Sequence, residues 1–98
     1  MSSVQLRRYV LPLDHAEQDR WIEWWRGIVA PRALYGFTIP SAVLDRESGE
    51  FTWTVKHDSD DFDAVEAVYM ASPERNAVMA LDKPEITAAR IAMVDVIV

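Results

Sequence analysis

Between positions 57 and 63 the chain reads HDSDDFD, four carboxylates and an imidazole within seven residues. Side chains of these types bind cations or move protons, so the stretch is the first place to look for chemistry. An EF-hand loop opening at Asp58 requires glycine at its sixth position and glutamate at its twelfth. Asp63 and Tyr69 stand there instead. Acids also gather at helix N-termini, where the dipole favours negative charge, and that reading needs no metal. Because His57 is the only nitrogen ligand of the stretch, no metal site and no cofactor are assigned. His57 also ends an aromatic strand face, which makes it the candidate for an acid or base projecting between sheet and helix.

A second stretch, YMASPER, holds Ser72, Glu74 and Arg75 around a proline. A nucleophilic serine wants a base beside it, and none is supplied locally. Ser72 as the N-cap of a helix with Pro73 at its first position explains the same residues without reactivity. Arg75 is left over. A cation in a first turn gains nothing from the dipole, so Arg75 is expected to meet a carboxylate of the Asp58–Asp63 cluster or the anion of a ligand. Trp21 and Trp25 lie one helical turn apart, and Trp53 can face them from a strand. They are either core packing or, for Trp25 and Trp53 together with Tyr69, the lining of a pocket. There is no Ser-His-Asp order and no glycine-rich phosphate loop. The catalytic residue, if there is one, stays unknown, as does whether the protein is an enzyme.

The elements that must hold these residues follow from periodicity. VQLRRYVL, Val4 to Leu11, is a short strand closed by Pro12. Asp14 and Glu17 have capping-box spacing, and a helix is expected from there to just before Pro31. On a helical wheel Trp21, Ile22, Trp24, Trp25, Ile28 and Val29 form one arc, with Asp19, Arg20, Glu23 and Arg26 opposite. LYGFTIPSAVL (Leu34 to Leu44) and EFTWTVKH (Glu50 to His57) read as strands paired through the turn DRESG. Pro40 places the first of them at an edge or at a bulge. Phe51, Trp53, Val55 and His57 share one face of the second. Helices are expected over Asp60 to Ala71 and Pro73 to about Leu81, and a last strand over Thr87 to Val98. Arg8, on the Leu6 and Val10 face of the first strand, is expected to pair with Asp95 on the last.

The order β-α-β-β-α-β points to a ferredoxin-like α+β domain with a four-stranded antiparallel sheet, spanning the whole of residues 1–98. Helices cover only one face of such a sheet, yet two strands are apolar on both. A second copy is therefore expected on the other face, giving a dimeric α+β barrel. Sixteen acids against ten bases leave a net charge of −6 and no basic run, which argues against nucleic acid as a partner. No cysteine is present, so disulfides and thiolate chemistry are excluded. No stretch approaches the length of a membrane span, and a soluble, cytoplasmic protein is expected.

QLRRYVL, WIEWW, PRALYGF, FTWTVKH and DFDAVEAVYMASPER together resemble the small bacterial members of the NIPSNAP family, within the dimeric α/β-barrel superfamily. The resemblance covers Gln5 to Arg75, and its most specific part is the aromatic strand, the acidic stretch and Y-x-A-S-P-E-R. It implies the fold and a homodimer rather than a settled activity. Relatives in the superfamily include cofactor-free monooxygenases of polyketide tailoring and haem-degrading oxygenases. The expected function is accordingly the binding or turnover of a small aromatic or polyketide-like molecule in a helix–sheet cavity. Cofactor-independent oxygen chemistry is one form that turnover could take. Its candidate lining is Trp25, Trp53, His57, Tyr69 and Arg75. The alternative is a non-catalytic homodimeric interaction module. A cavity of about 300 Å³ or more favours the first reading, and a filled core the second.

Overall fold

The computed structural model describes residues 3–82 and 85–97. Strand β1 (Ser3–Val10) leads into helix α1 (His15–Arg26) and a second helix α2 (Val29–Leu34). The hairpin β2 (Thr38–Leu44) and β3 (Glu50–His57) comes next. Helices α3 (Phe62–Met70) and α4 (Pro73–Met79) and strand β4 (Ala88–Met93) complete the chain. The sheet order is β2-β3-β1-β4, and every pairing is antiparallel. This is the ferredoxin-like arrangement the element order calls for. β2 lies at the edge, and its register slips between Thr38 and Ser41, so Pro40 occupies both an edge and an irregularity.

The first helix differs from expectation. α1 stops at Gly27, whose N–H turns back to the Trp24 carbonyl at 3.0 Å, and a new helix starts after Ile28. Pro31 lies in the first turn of α2, where its lacking N–H costs nothing. Gly36, at φ 90°, ends α2: Gly36 N–H reaches the Ala33 carbonyl and Phe37 N–H the Arg32 carbonyl, both at 3.0 Å. Leu34 therefore belongs to a helix, and the strand begins only at Thr38. Val29, expected in the buried arc, is turned outward by the same break.

The other boundaries are closer. Asp14, Asp61 and Ser72 each cap the helix that follows, accepting from Glu17, Ala64 and Arg75 N–H respectively. Pro73 is the first residue of α4. α3 begins two residues after Asp60, and Val68 faces outward, 120° round the wheel from Phe62. β4 ends at Met93, so Asp95 lies beyond the ladder, and Val98 falls outside the described residues. The Arg8–Asp95 pair does not form. Arg8 instead meets Glu50 at 3.2 Å on a part-exposed surface, because the register sets Arg8 opposite Thr52 and Arg90.

The core fills the space between the helices and one sheet face. Trp21 and Trp25 of α1 both pack edge-on against Phe51, at 5.0 and 5.1 Å, and Trp25 meets Trp53 at 5.4 Å. At the other end Phe37 contacts Phe62 and Tyr69, both at 5.7 Å. One corner is tied by a buried amide. Gln18 Nε2 donates to the carbonyls of Pro12 and Arg46, while Leu11 N–H reaches the Gly49 carbonyl.

Candidate functional site

Alternation in a strand sends neighbouring residues to opposite faces. In β1 this puts Arg7 and Tyr9 under the helices, where they floor a cavity of about 160 Å³. Trp53 of β3 adds to the floor. Helix α1 supplies Trp21, Trp24 and Trp25 as one wall, because positions three and four apart share a helix face. Arg32 of α2, Tyr69 of α3 and Arg75 of α4 close the opposite side, with Met70, Met79 and Ile86 beside them.

Arg32 is the centre of the arrangement. It is 3% exposed, and its guanidinium sits 4.1 Å from the ring centroid of Tyr69, 4.9 Å from Phe37 and 5.8 Å from Trp53. Such an aromatic cage suits the weakly hydrated, planar cation of arginine. Glu66 of α3 faces it at 2.8 Å and also approaches Arg7 at 3.8 Å. Arg7 is fixed further by a bond from Nε to Gln5 Oε1 and one from a terminal nitrogen to the Tyr9 hydroxyl. Burial lowers the Arg32 pKa and Arg7 lowers it further, while Glu66 raises it. Arginine keeps its charge through such shifts. Tyr69 moves the other way. Burial raises its pKa, and the cations Arg32, Arg75 and Arg7 only partly oppose this, so at neutral pH it is a phenol that can donate.

Several donors around this cavity have nothing to bond. The indole N–H groups of Trp21, Trp25 and Trp53 and the Nε groups of Arg32 and Arg75 are buried without a hydrogen-bond partner among the described residues. Unpaired buried polar atoms are uncommon in folded proteins, and these belong to residues on the floor and both sides of one cavity, although the atoms themselves are covered by the surrounding packing. Trp24 differs: its N–H reaches the Val78 carbonyl at 3.3 Å.

Of the residues singled out in the sequence, Trp25, Trp53, Tyr69 and Arg75 come together on this cavity. His57 does not. Its Nδ1 accepts from Ser59 N–H at 2.9 Å, which leaves the proton on Nε2, the atom 3.1 Å from the Tyr35 carbonyl. The ring packs on Phe37 at 4.7 Å. Both nitrogens are committed to backbone, so the ring is a strut at the end of the layer and not a base in the cavity. Arg75 meets no carboxylate of the Asp58–Asp63 cluster; its N–H is instead the group that Ser72 caps. Among the described residues no group of three or more potential ligands is placed to hold a metal ion. Sequence reading missed Arg7, Arg32 and Glu66. The available signal was the pair of arginines in β1 and the arginine inside PRALYGF, set among apolar neighbours.

No protein-family model matches the sequence, and no curated protein matches it either. Solved structures do match in shape. A NIPSNAP-like domain protein from Burkholderia xenovorans superposes with a TM-score of 0.72 at 16% identity, over 98% of this chain and 85% of that one. A protein assigned to antibiotic biosynthesis monooxygenase from Bacteriodes thetaiotaomicron gives 0.68 at 10% identity, over 99% and 90%. Another antibiotic biosynthesis monooxygenase gives 0.64 at 13% identity, over 99% of both chains. The chain shares with them the ferredoxin-like fold of the NIPSNAP and antibiotic biosynthesis monooxygenase proteins.

Proposed function

We propose that this protein binds a small aromatic molecule in the cavity between helix α1 and the sheet. The carrying observation is the row of buried, unpartnered donors on Trp21, Trp25, Trp53, Arg32 and Arg75 around one space. Buried polar atoms without a partner are uncommon in folded proteins, and these all belong to residues that line one cavity. The volume, about 160 Å³, falls short of 300 Å³, so the occupant is small, and a polycyclic polyketide would have to protrude through the opening. Turnover by oxygen chemistry is the form of catalysis that the names of the fold neighbours suggest, and its independence of a cofactor is our own proposal. Among the described residues the lining contains arginine and tyrosine as its titratable groups and no base for neutral pH. A substrate turned over here would enter as its own anion, stabilised by the guanidiniums.

The test is tryptophan emission during titration with planar aromatic compounds, neutral and anionic, with and without chelator. Quenching that saturates, and that chelator leaves unchanged, is expected. Trp53→Ala should abolish the response and destabilise the protein by about 3–5 kcal/mol. If no compound quenches while Trp53→Ala only destabilises, the cavity is packing and nothing more.

A second reading, a homodimeric interaction module, is favoured by a different face. The helix-free side of the sheet carries Leu6, Val10 and Val43, the last of these 63% exposed, and a groove between Pro40 and Val94. We propose that a second copy covers it, which is compatible with ligand binding on the opposite face. Obligate dimers bury on the order of 2,000 Å² or more. Light scattering at micromolar concentration should give twice the chain mass, and a clean monomer would rule out the barrel.

A further inference from the structure

We infer that the cavity takes a single-ring aromatic carboxylate, with its anion between Arg75 and Arg32 and its ring among Trp25, Trp53 and Tyr69. This rests on reading the cavity as a ligand site and narrows what enters it.

The first argument is charge. Arg7, Arg32 and Arg75 all reach the cavity, and among the described residues Glu66 is the one carboxylate paired with any of them, so three cations face a single anion there. Arg32 is almost wholly buried. Arg7 and Arg75, both half-buried, share the cavity with it, and a bound carboxylate would balance the excess positive charge.

The second argument is the kind of polar atom on offer. The guanidiniums and indoles present only N–H groups, and the Tyr69 phenol is protonated and able to donate. A ligand made of acceptors suits such a wall. An amine would face cations, and a sugar would leave its own hydroxyl protons without acceptors. Guanidinium forks match a carboxylate in plane, and the buried Nε groups of Arg32 and Arg75 are both unpartnered among the described residues.

The third argument is size. A cavity of about 150 Å³ is enough for benzene, and this one is about 160 Å³. Trp25 and Trp53 meet edge to face at 81°, so a ring beside them finds both an indole face and an indole edge.

The experiment titrates the full chain with benzoate, benzamide, sodium sulfate and 9-anthracenecarboxylate, followed by calorimetry and tryptophan emission. Benzoate should bind at least about tenfold more tightly than benzamide, as expected when a charged hydrogen bond is gained. Sulfate and the three-ring acid should both be weaker than benzoate. Arg75→Gln is the informative variant, since Arg32 is locked into a buried pair whose loss could unfold the chain. It should weaken benzoate about tenfold or more, leave benzamide unchanged and leave the melting curve in place. Equal binding of benzoate and benzamide would overturn the carboxylate while leaving a ligand site standing. Sulfate binding as tightly as benzoate would overturn the ring. Tighter binding of the three-ring acid would overturn the size limit. If no aromatic compound binds at all, the proposed function falls with the inference.

Discussion

Two ends of one helix–sheet layer can be set side by side. At the His57 end every ring nitrogen has a partner, Ser59 N–H on one side and the Tyr35 carbonyl on the other. At the Arg32 end, a cation, three indoles and a second arginine surround a space with buried donors that have none among the described residues. The residue types alone would have ranked the ends the other way, since histidine titrates near neutrality and arginine does not. What separates them is availability. A group whose hydrogen bonds are already satisfied by backbone is architecture, whatever its chemistry could be in principle.

The contrast is broken most forcefully at Glu66. Replacing it with alanine leaves Arg32 buried without its 2.8 Å partner, which should cost about 3–5 kcal/mol in urea unfolding. If the cavity is anion-seeking, the same substitution should tighten benzoate binding even as it loosens the fold. A loss of stability with no gain in anion affinity would mean that the cations serve packing alone.

His57→Ala is the matching change at the closed end. Two hydrogen bonds and a ring contact are lost, so about 1–3 kcal/mol of stability should go while ligand binding stays as it was. Ser72→Ala belongs with it: removing the cap should cost about 0.5–2 kcal/mol and spare binding. Should either variant stay folded and stop binding, the division between the ends is misplaced.

Tyr69 gives the mildest probe, through pH. Its folded-state pKa is raised above the ordinary phenol value near 10, chiefly by burial. Below pH 10 both folded and unfolded chains hold the proton and the contribution to stability is complete. Above it the unfolded chain ionises first, and that part of the stability declines as pH rises through the folded value. Urea midpoints between pH 8 and 11 should therefore fall, and Tyr69→Phe should fall less steeply. Tyr35, also raised, keeps the slope from vanishing. Identical slopes in the two proteins would remove Tyr69 from the account.

Much of the fold was legible because periodicity is a local property. The Trp21–Trp25–Ile28 stripe announces a buried helix face, and Phe51–Trp53–Val55 a buried strand face. Ser72 and Pro73 gave a helix start to the residue. The break at Gly27 was not legible, because a proline that ends one helix is equally at home in the first turn of the next. The site was only half legible. Trp25, Trp53, Tyr69 and Arg75 could be singled out by type, but burial of Arg32 depends on Glu66, thirty-four positions away. Arg7 was hidden by its own strand. In β1 the more apolar face, Leu6 and Val10, is the one the helices leave open, and the polar face of Gln5, Arg7 and Tyr9 is covered. A polar strand face under a helix layer means a lined interior and not a solvent surface, and nothing in the strand itself reveals which side the helices take.

The buried amide of Gln18 carries a consequence for how the chain finds this structure. It bonds to Pro12 within its own crossover and to Arg46 in the hairpin turn, 28 residues along. Leu11 and Gly49 add a backbone link at the same point, and any side chain at Gly49 would run into the Leu11 carbonyl. Helix docking and hairpin registration are therefore expected to form together. Closing a long loop is slow relative to forming either piece alone. On a chevron plot Gln18→Ala should lower the refolding arm more than it lifts the unfolding arm, which would locate the rate-limiting step at a corner remote from any chemistry.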